Sequence, residues 1–331
     1  MAGSSSTSAV LFALVGNAGL TVLKFVAFGI SGSGAMLSEA VHSFADTGNQ
    51  GLLYLGIKRS ERPADAAFHY GFGADRFFYS LMSAVGIFVL GCGVTLYHGV
   101  HSLLHPPELH ITALPFVVLG ISLVVDGYVL RKAVHVVNER RGDEGFLRFL
   151  RTSSDPTLAA VLLEDGVACV GVLVAMLGII LSQVTGSHLP DVMATFLIGG
   201  MMGGIAIWLG LKNKALILGP SIPKAIQQDC LAFMEAQDSV EHVRVVRTRI
   251  VGADRFNFAA EVDWNGRALG EPLADWVGEQ LERLTDPEER RAFAREFGEK
   301  VTEALGDEID RIESELRERH PELTILDLES D

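Results

Sequence analysis

The sequence predicts a membrane all-α bundle of six transmembrane helices followed by a small C-terminal α/β domain, and three observations lead there. Of 331 residues, 49% are hydrophobic and only 21% charged, with a mean hydropathy of +0.31, oilier than an ordinary soluble domain of this length. Six stretches, near 8–30, 34–57, 77–100, 112–136, 158–182 and 189–210, each supply the roughly 20 residues a helix needs to cross a hydrocarbon core of about 30 Å. From Lys212 onward the long apolar runs stop and the chain turns acidic and polar, which divides it into a membrane part, 1–210, and a soluble part, 211–331. Helices are favoured over a barrel because the runs are long and lack the rhythm of strands about ten residues in length.

The loops orient these spans. Lys58, Arg59, Arg62 and Arg76 lie between the second and third, and Arg131, Lys132, Arg140, Arg141, Arg148 and Arg151 surround the connection between the fourth and fifth. The alternate connections, 31–33, 101–111 and 183–188, hold no Lys or Arg. Basic loops stay inside, so both termini and the soluble domain are expected in the cytoplasm. The first run has no basic region before it and no convincing cleavage site, and reads as a retained span. Compact length and the lack of an evident transit peptide point to a prokaryotic inner membrane. Lys24 inside the first span is an intramembrane cation that either snorkels to the interface or meets an interhelical partner.

The net charge of -14 argues against wrapping nucleic acid. Cys92, Cys169 and Cys230 form no CxxC pair, so neither a disulfide framework nor a thiolate metal site is expected. Gly71 and Gly73 make a Gly-x-Gly without the preceding strand or the Lys-Ser/Thr of a phosphate loop, so the motif does not support ATP binding.

In the soluble part, Pro223 opens a helix, and the segment from His242 to Gly266 reads as two strands turning near Gly252 to Asp254, although the alternation of the first is impure. A helical region over about 271–318 is expected to break near Thr285 to Pro287 or near Gly306, and ELTILDLES closes as a strand. A helix-strand-strand-helix-strand order suggests a small α/β sandwich.

Chemistry concentrates where lipid would penalise it. His42 and Asp46 stand at i and i+4 on the second helix, so they share a face and can converge on one ion, with imidazole nitrogen and carboxylate oxygen suiting zinc or another first-row divalent cation. Glu164 and Asp165 sit in the fifth span. Adjacent residues point about 100° apart, so Asp165 can complete a four-coordinate site while Glu164 is a ligand, an outer acceptor or a proton-bearing group. Asn17, Asn49 and Gln50 read as interhelical glue, and Asp126 as a charge beside the pathway or a partner of a basic group. In the first cytoplasmic loop, Asp65 and His69 form a second candidate metal pair, set against the plainer reading of a polar loop.

SEAVHSFADTGNQ at 38–50, HYGFGADRFFYS at 69–80, and six spans ahead of a small soluble domain resemble the cation diffusion facilitator family of zinc transporters over almost the whole chain. The resemblance implies a ferredoxin-like cytoplasmic domain, a homodimer in the lipid bilayer, and export of Zn2+ in exchange for H+ by alternating access, a secondary transporter rather than an enzyme. It implies transport ligands at His42, Asp46 and Asp165. Ordinary members carry a histidine one turn before the last of these, where this chain has Val161; its Glu164-Asp165 pair is similar instead to the mitochondrial-type zinc exporter subfamily. Carboxylate in place of imidazole hardens the site and opens Mn2+, Fe2+ or Co2+ as alternatives. The family's loop site matches only Asp65 and His69, with Gly73 where a further histidine is expected. The rival function is a membrane metal sensor or dimeric scaffold without vectorial transport.

Overall fold

The computed structural model describes residues 11, 14–26, 34–105, 113–142, 144–282, 284 and 286–330, with the backbone alone for 34–42, 45, 114 and 115. The chain divides into two compact units, Met1–Leu218 and Gly219–Asp331. The division falls past the sixth apolar run because the last helix of the first unit continues through Lys212 and Lys214.

The first unit is helical: α1 (Leu14–Val26), α2 (Gly34–Ser60), α3 (Asp75–Leu104), α4 (Leu114–Arg141), a short α5 (Phe146–Thr152), α6 (Pro156–Thr185) and α7 (Leu189–Leu218). Among the described residues, α3, α6 and α7, each of 30 residues, are long and apolar enough to cross a membrane. Lys58 and Arg59 end α2, and Arg140 and Arg141 end α4, where cations meet the negative pole of the helix. Asp155 caps α6 by accepting from the Thr157 amide at 3.1 Å, with Pro156 in the first turn where its missing N–H costs nothing.

The apolar core of this unit runs from those basic ends along α3 and α7 as far as Ile87, Cys92 and Met202. Leu53 and Ile57 of α2, Ala133 and Val137 of α4, Leu158 of α6 and Leu209 of α7 are all buried there. The basic end holds a buried polar knot. Arg76, at the start of α3, donates to Asp155 Oδ2 at 2.9 Å and to Thr157 Oγ1 at 3.0 Å, while Arg140 reaches the same carboxylate at 3.3 Å.

Within α3, Ile87–Val94 is π-helical, a widened turn that the unbroken apolar run did not announce. At the other end of the bundle α6 and α7 approach closely. A Cβ on Gly178 would stand 2.7 Å from Ala194 Cβ and 3.2 Å from the Pro190 carbonyl. Gly178→Ala is therefore expected to destabilise the unit by about 1–3 kcal/mol, read as a lower melting temperature in detergent.

The second unit runs α8 (Lys224–Glu235), β1 (Val240–Gly252), β2 (Arg255–Trp264), α9 (Gly266–Gly270), α10 (Ala274–Leu281), α11 (Pro287–Arg319) and β3 (Leu323–Ser330). β1 pairs antiparallel with β2, and β2 parallel with β3. The turn between the first two uses Asp254 at φ 54°, a left-handed conformation that Asp tolerates. Register shifts along β1 explain its impure alternation, whereas β2 alternates cleanly and buries Phe256, Phe258, Ala260 and Val262. Ile312 and Leu316 of α11 and Met234 of α8 are likewise buried.

The helical break falls at Pro287, where Asp286 and Glu289 form a capping box, and α11 runs unbroken through Gly306. One interior glycine costs only about 1 kcal/mol, which a helix of 33 residues absorbs. On α11, Arg311 donates to both oxygens of Glu308 at 2.7 and 2.8 Å and so holds that carboxyl below its ordinary 4.5, with the Ser239 hydroxyl adding to the effect. A folded-state value below the unfolded one gives stability that is present above pH 4.5 and lost as pH falls through the folded value. The full chain's melting temperature is expected to fall on acidification below about that point, less so in Glu308→Gln, as thermal scans against pH will read.

Candidate functional site

A cavity of about 100 Å³ lies inside the helical unit, walled by α1, α2, α3, α4, α6 and α7. Its lining on α4 runs from Leu119 to Asp126 and on α6 from Glu164 to Ala175, the stretches away from the basic, tightly packed end. The periodicity of each helix decides what faces it. Asp46 from α2, Asp126 from α4, and Glu164 and Asp165 from α6 all line this one space.

Asp126, Glu164 and Asp165 are sequestered from solvent, and Asp46 is half-buried. Glu164 is 8% and Asp165 3% exposed. Glu164 stands within electrostatic reach of Asp46 and Asp165, and Asp165 within reach of Asp126 and Asp46. Glu164 Oε2 accepts from Gln50 Nε2 at 3.3 Å, while Glu164 Oε1 and Asp165 Oδ2 lack a hydrogen-bond partner among the described residues. Buried carboxylate oxygens without donors are costly, and a cation is the partner that offsets the cost.

The placement of the sequence candidates can be stated residue by residue. Asp46, Glu164 and Asp165 share the cavity. His42 lies on α2 one turn before Asp46, and its side chain is outside the described residues. Among the described residues, which leave out the His42 side chain, no three His, Cys, Asp or Glu side chains stand together closely enough to hold an ion. Those that are described form an acid-lined chamber.

Asp65 and His69 are exposed and turned to their own loop. Asp65 Oδ1 accepts from the Ala67 and Phe68 amides at 2.9 Å each, and His69 Nε2 is 3.1 Å from the Ala66 carbonyl oxygen.

Two contacts were not visible as pairs in the sequence. Gln50 reaches across to Glu164, and its position four residues after Asp46 places it on the same face, which was the available signal. Lys24 does not snorkel: it is 4% exposed, lines the cavity, and donates to Ser43 Oγ at 2.8 Å. Ser43, a small hydroxyl beside His42, gave no comparable hint.

With this geometry established, comparison with known proteins is informative. Residues 10–218 match the model of the cation efflux transmembrane domain. The mitochondrial proton-coupled zinc antiporter SLC30A9 of Homo sapiens is 36% identical over 313 residues, covering 92% of this chain and 55% of that protein. Metal tolerance protein C4 of Arabidopsis thaliana is 32% identical over 338 residues, covering 98% of this chain and 73% of that protein. Magnetosome protein MamB of Paramagnetospirillum magneticum is 25% identical over 252 residues, 75% of this chain and 79% of its own length. The chain thus spans about half the length of the zinc antiporters it matches.

Proposed function

This chain belongs to the cation efflux family, and from that premise we propose that it is a proton-coupled exporter of divalent metal, with Zn2+ as substrate and H+ as counter-ion. The observation that carries the reading is the cavity itself: four carboxylates from three helices lining one space, two of them with buried oxygens that lack donors among the described residues. The similarity to proteins named as proton-coupled zinc antiporters supports the choice of ion and counter-ion.

Our ligand assignment is His42, Asp46 and Asp165, with Glu164 as the fourth contact. Zinc accepts nitrogen and carboxylate oxygen together, and imidazole one helical turn from Asp46 supplies the borderline donor that favours it over Mn2+. Every one of these groups also binds protons, so metal and protons compete for the same atoms. Protons that displace the metal on the far side then return with the empty carrier, a secondary transport cycle without catalysis.

The conformation supports one half of that cycle. The end bearing Arg76 and Arg140 is packed, while the cavity lining extends toward the opposite end. We read this as an outward-facing form, whose inward-facing counterpart requires the packed end to part.

We assign six spans, α1, α2, α3, α4, α6 and α7, in an integral membrane protein. α2 and α4, of 27 and 28 residues, are each about 40 Å long at 1.5 Å per residue, and their polar groups line the cavity. We assign both termini to the side of the basic loops, the inner face of the membrane under the positive-inside rule. We class the second unit as a ferredoxin-like regulatory domain and the assembly as a homodimer.

The test is Zn2+ flux into proteoliposomes under an imposed pH gradient, repeated with Mn2+. Saturable Zn2+ flux that follows the gradient is the expected result. Correctly inserted protein that moves neither ion would favour a sensor or scaffold.

A further inference from the structure

We propose that Lys24 is an internal counter-cation of the metal cavity, whose fixed charge weakens the hold on a divalent ion and so sets the rate of release. The proposal deepens the transport reading above and rests on it. A lysine in a span ordinarily lays its stem along the helix and carries its ammonium to the interface. Here the residue is 4% exposed, and its ammonium is tied to Ser43 Oγ at 2.8 Å, on the helix that carries Asp46. It lines the same space as Asp46, Asp126, Glu164 and Asp165, and it is the one Lys or Arg among the described lining residues.

Burying an ammonium is expensive unless negative charge lies near it, and carboxylates line the same space. In the empty carrier the attraction offsets part of their mutual repulsion. When a divalent ion enters, the same ammonium repels it, with a force that the low dielectric of the interior screens less than water does. A site with four carboxylates and no such charge would hold zinc tightly and turn over slowly. The tether to Ser43 keeps the ammonium on the wall, so it opposes binding without itself occupying the centre of the chamber.

The experiment compares the full-length parent with Lys24→Gln and Lys24→Met, which remove the charge, and Lys24→Arg, which keeps it. Two quantities are measured: Zn2+ affinity by equilibrium titration in detergent, and Zn2+ flux in proteoliposomes. Either neutral variant that inserts is expected to bind Zn2+ about tenfold more tightly and to show kcat and KM falling together, with Lys24→Arg near the parent in both. A merely structural role would instead weaken binding. Affinity unchanged or reduced in the neutral variants, in a preparation whose parent transports Zn2+, overturns the role of Lys24 alone. A parent that neither binds nor moves Zn2+ overturns this proposal together with the transport reading.

Discussion

Asp165→Asn is expected to lower Zn2+ flux by more than about a hundredfold while leaving the protein at least as stable as the parent. Asparagine keeps the shape of the side chain, so packing around a residue only 3% exposed is preserved. What disappears is one full negative charge facing the cavity, with its Oδ2 lacking a donor among the described residues. For the folded apo protein that loss is favourable, since a buried carboxylate near Asp46 and Asp126 is a cost that a neutral amide reduces. For a divalent ion it would be the loss of an anionic ligand, as the proposed assignment has it, in a medium of low dielectric, where about 1.4 kcal/mol already corresponds to tenfold.

Opposite signs for activity and stability are the signature of a site residue, and a structural residue would lose both together. Asp46→Asn is expected to behave in the same way. Glu164→Gln is expected to cost less, about tenfold, because one of its oxygens is already engaged by Gln50. Flux assays paired with thermal scans in detergent read both quantities. Wild-type flux in Asp165→Asn would remove that residue from the ligand set.

The legible part of this protein was its patterning. Length and apolarity announced α3, α6 and α7, and Pro287 announced the start of α11. The turn near Gly252 to Asp254 announced the pair of strands, and β2 packs its buried face in regular alternation. β1 was blurred by its bulges, which shift side chains from one face to the other and break the period the eye follows. The polar residues of α2 and α6 were legible as a candidate site, since ionisable groups in an apolar helix are costly enough to demand a reason. Which partners they take was not legible. Gln50 reaches Glu164 across 114 positions, and Lys24 reaches Ser43 across 19, and these separations are fixed by helix packing rather than by any local spacing. The π-helical turn in α3 was invisible because Ile87–Val94 is an unbroken apolar stretch in which no local pattern marks the widened turn.

Asp155 is the residue whose removal should cost the fold most. Its carboxylate, 1% exposed, does three things at once: Oδ1 caps α6 through the Thr157 amide, and Oδ2 receives Arg76 from α3 and Arg140 from α4. Alanine would leave the Arg76 guanidinium, itself 7% exposed, without its carboxylate at the packed end of the bundle. Breaking a buried ion pair from one side costs about 3–5 kcal/mol, and losing a helix cap about 1 kcal/mol more. Asp155→Ala is thus expected to lower the melting temperature sharply in detergent. Asp155→Asn, which keeps an acceptor for the cap but not the charge, should lie between it and the parent.

The double replacement Asp155→Ala with Arg76→Met separates the two terms, since it removes the more deeply buried guanidinium together with the carboxylate, leaving the less buried Arg140, and should recover part of the loss. In the proposed transport cycle, α3, α4 and α6 would separate at this end only by giving up these bonds. Stability of the packed end and the barrier to opening it are therefore the same interaction. If the double variant is as unstable as Asp155→Ala alone, the ion pair contributes little, and the cap and packing carry this end of the bundle.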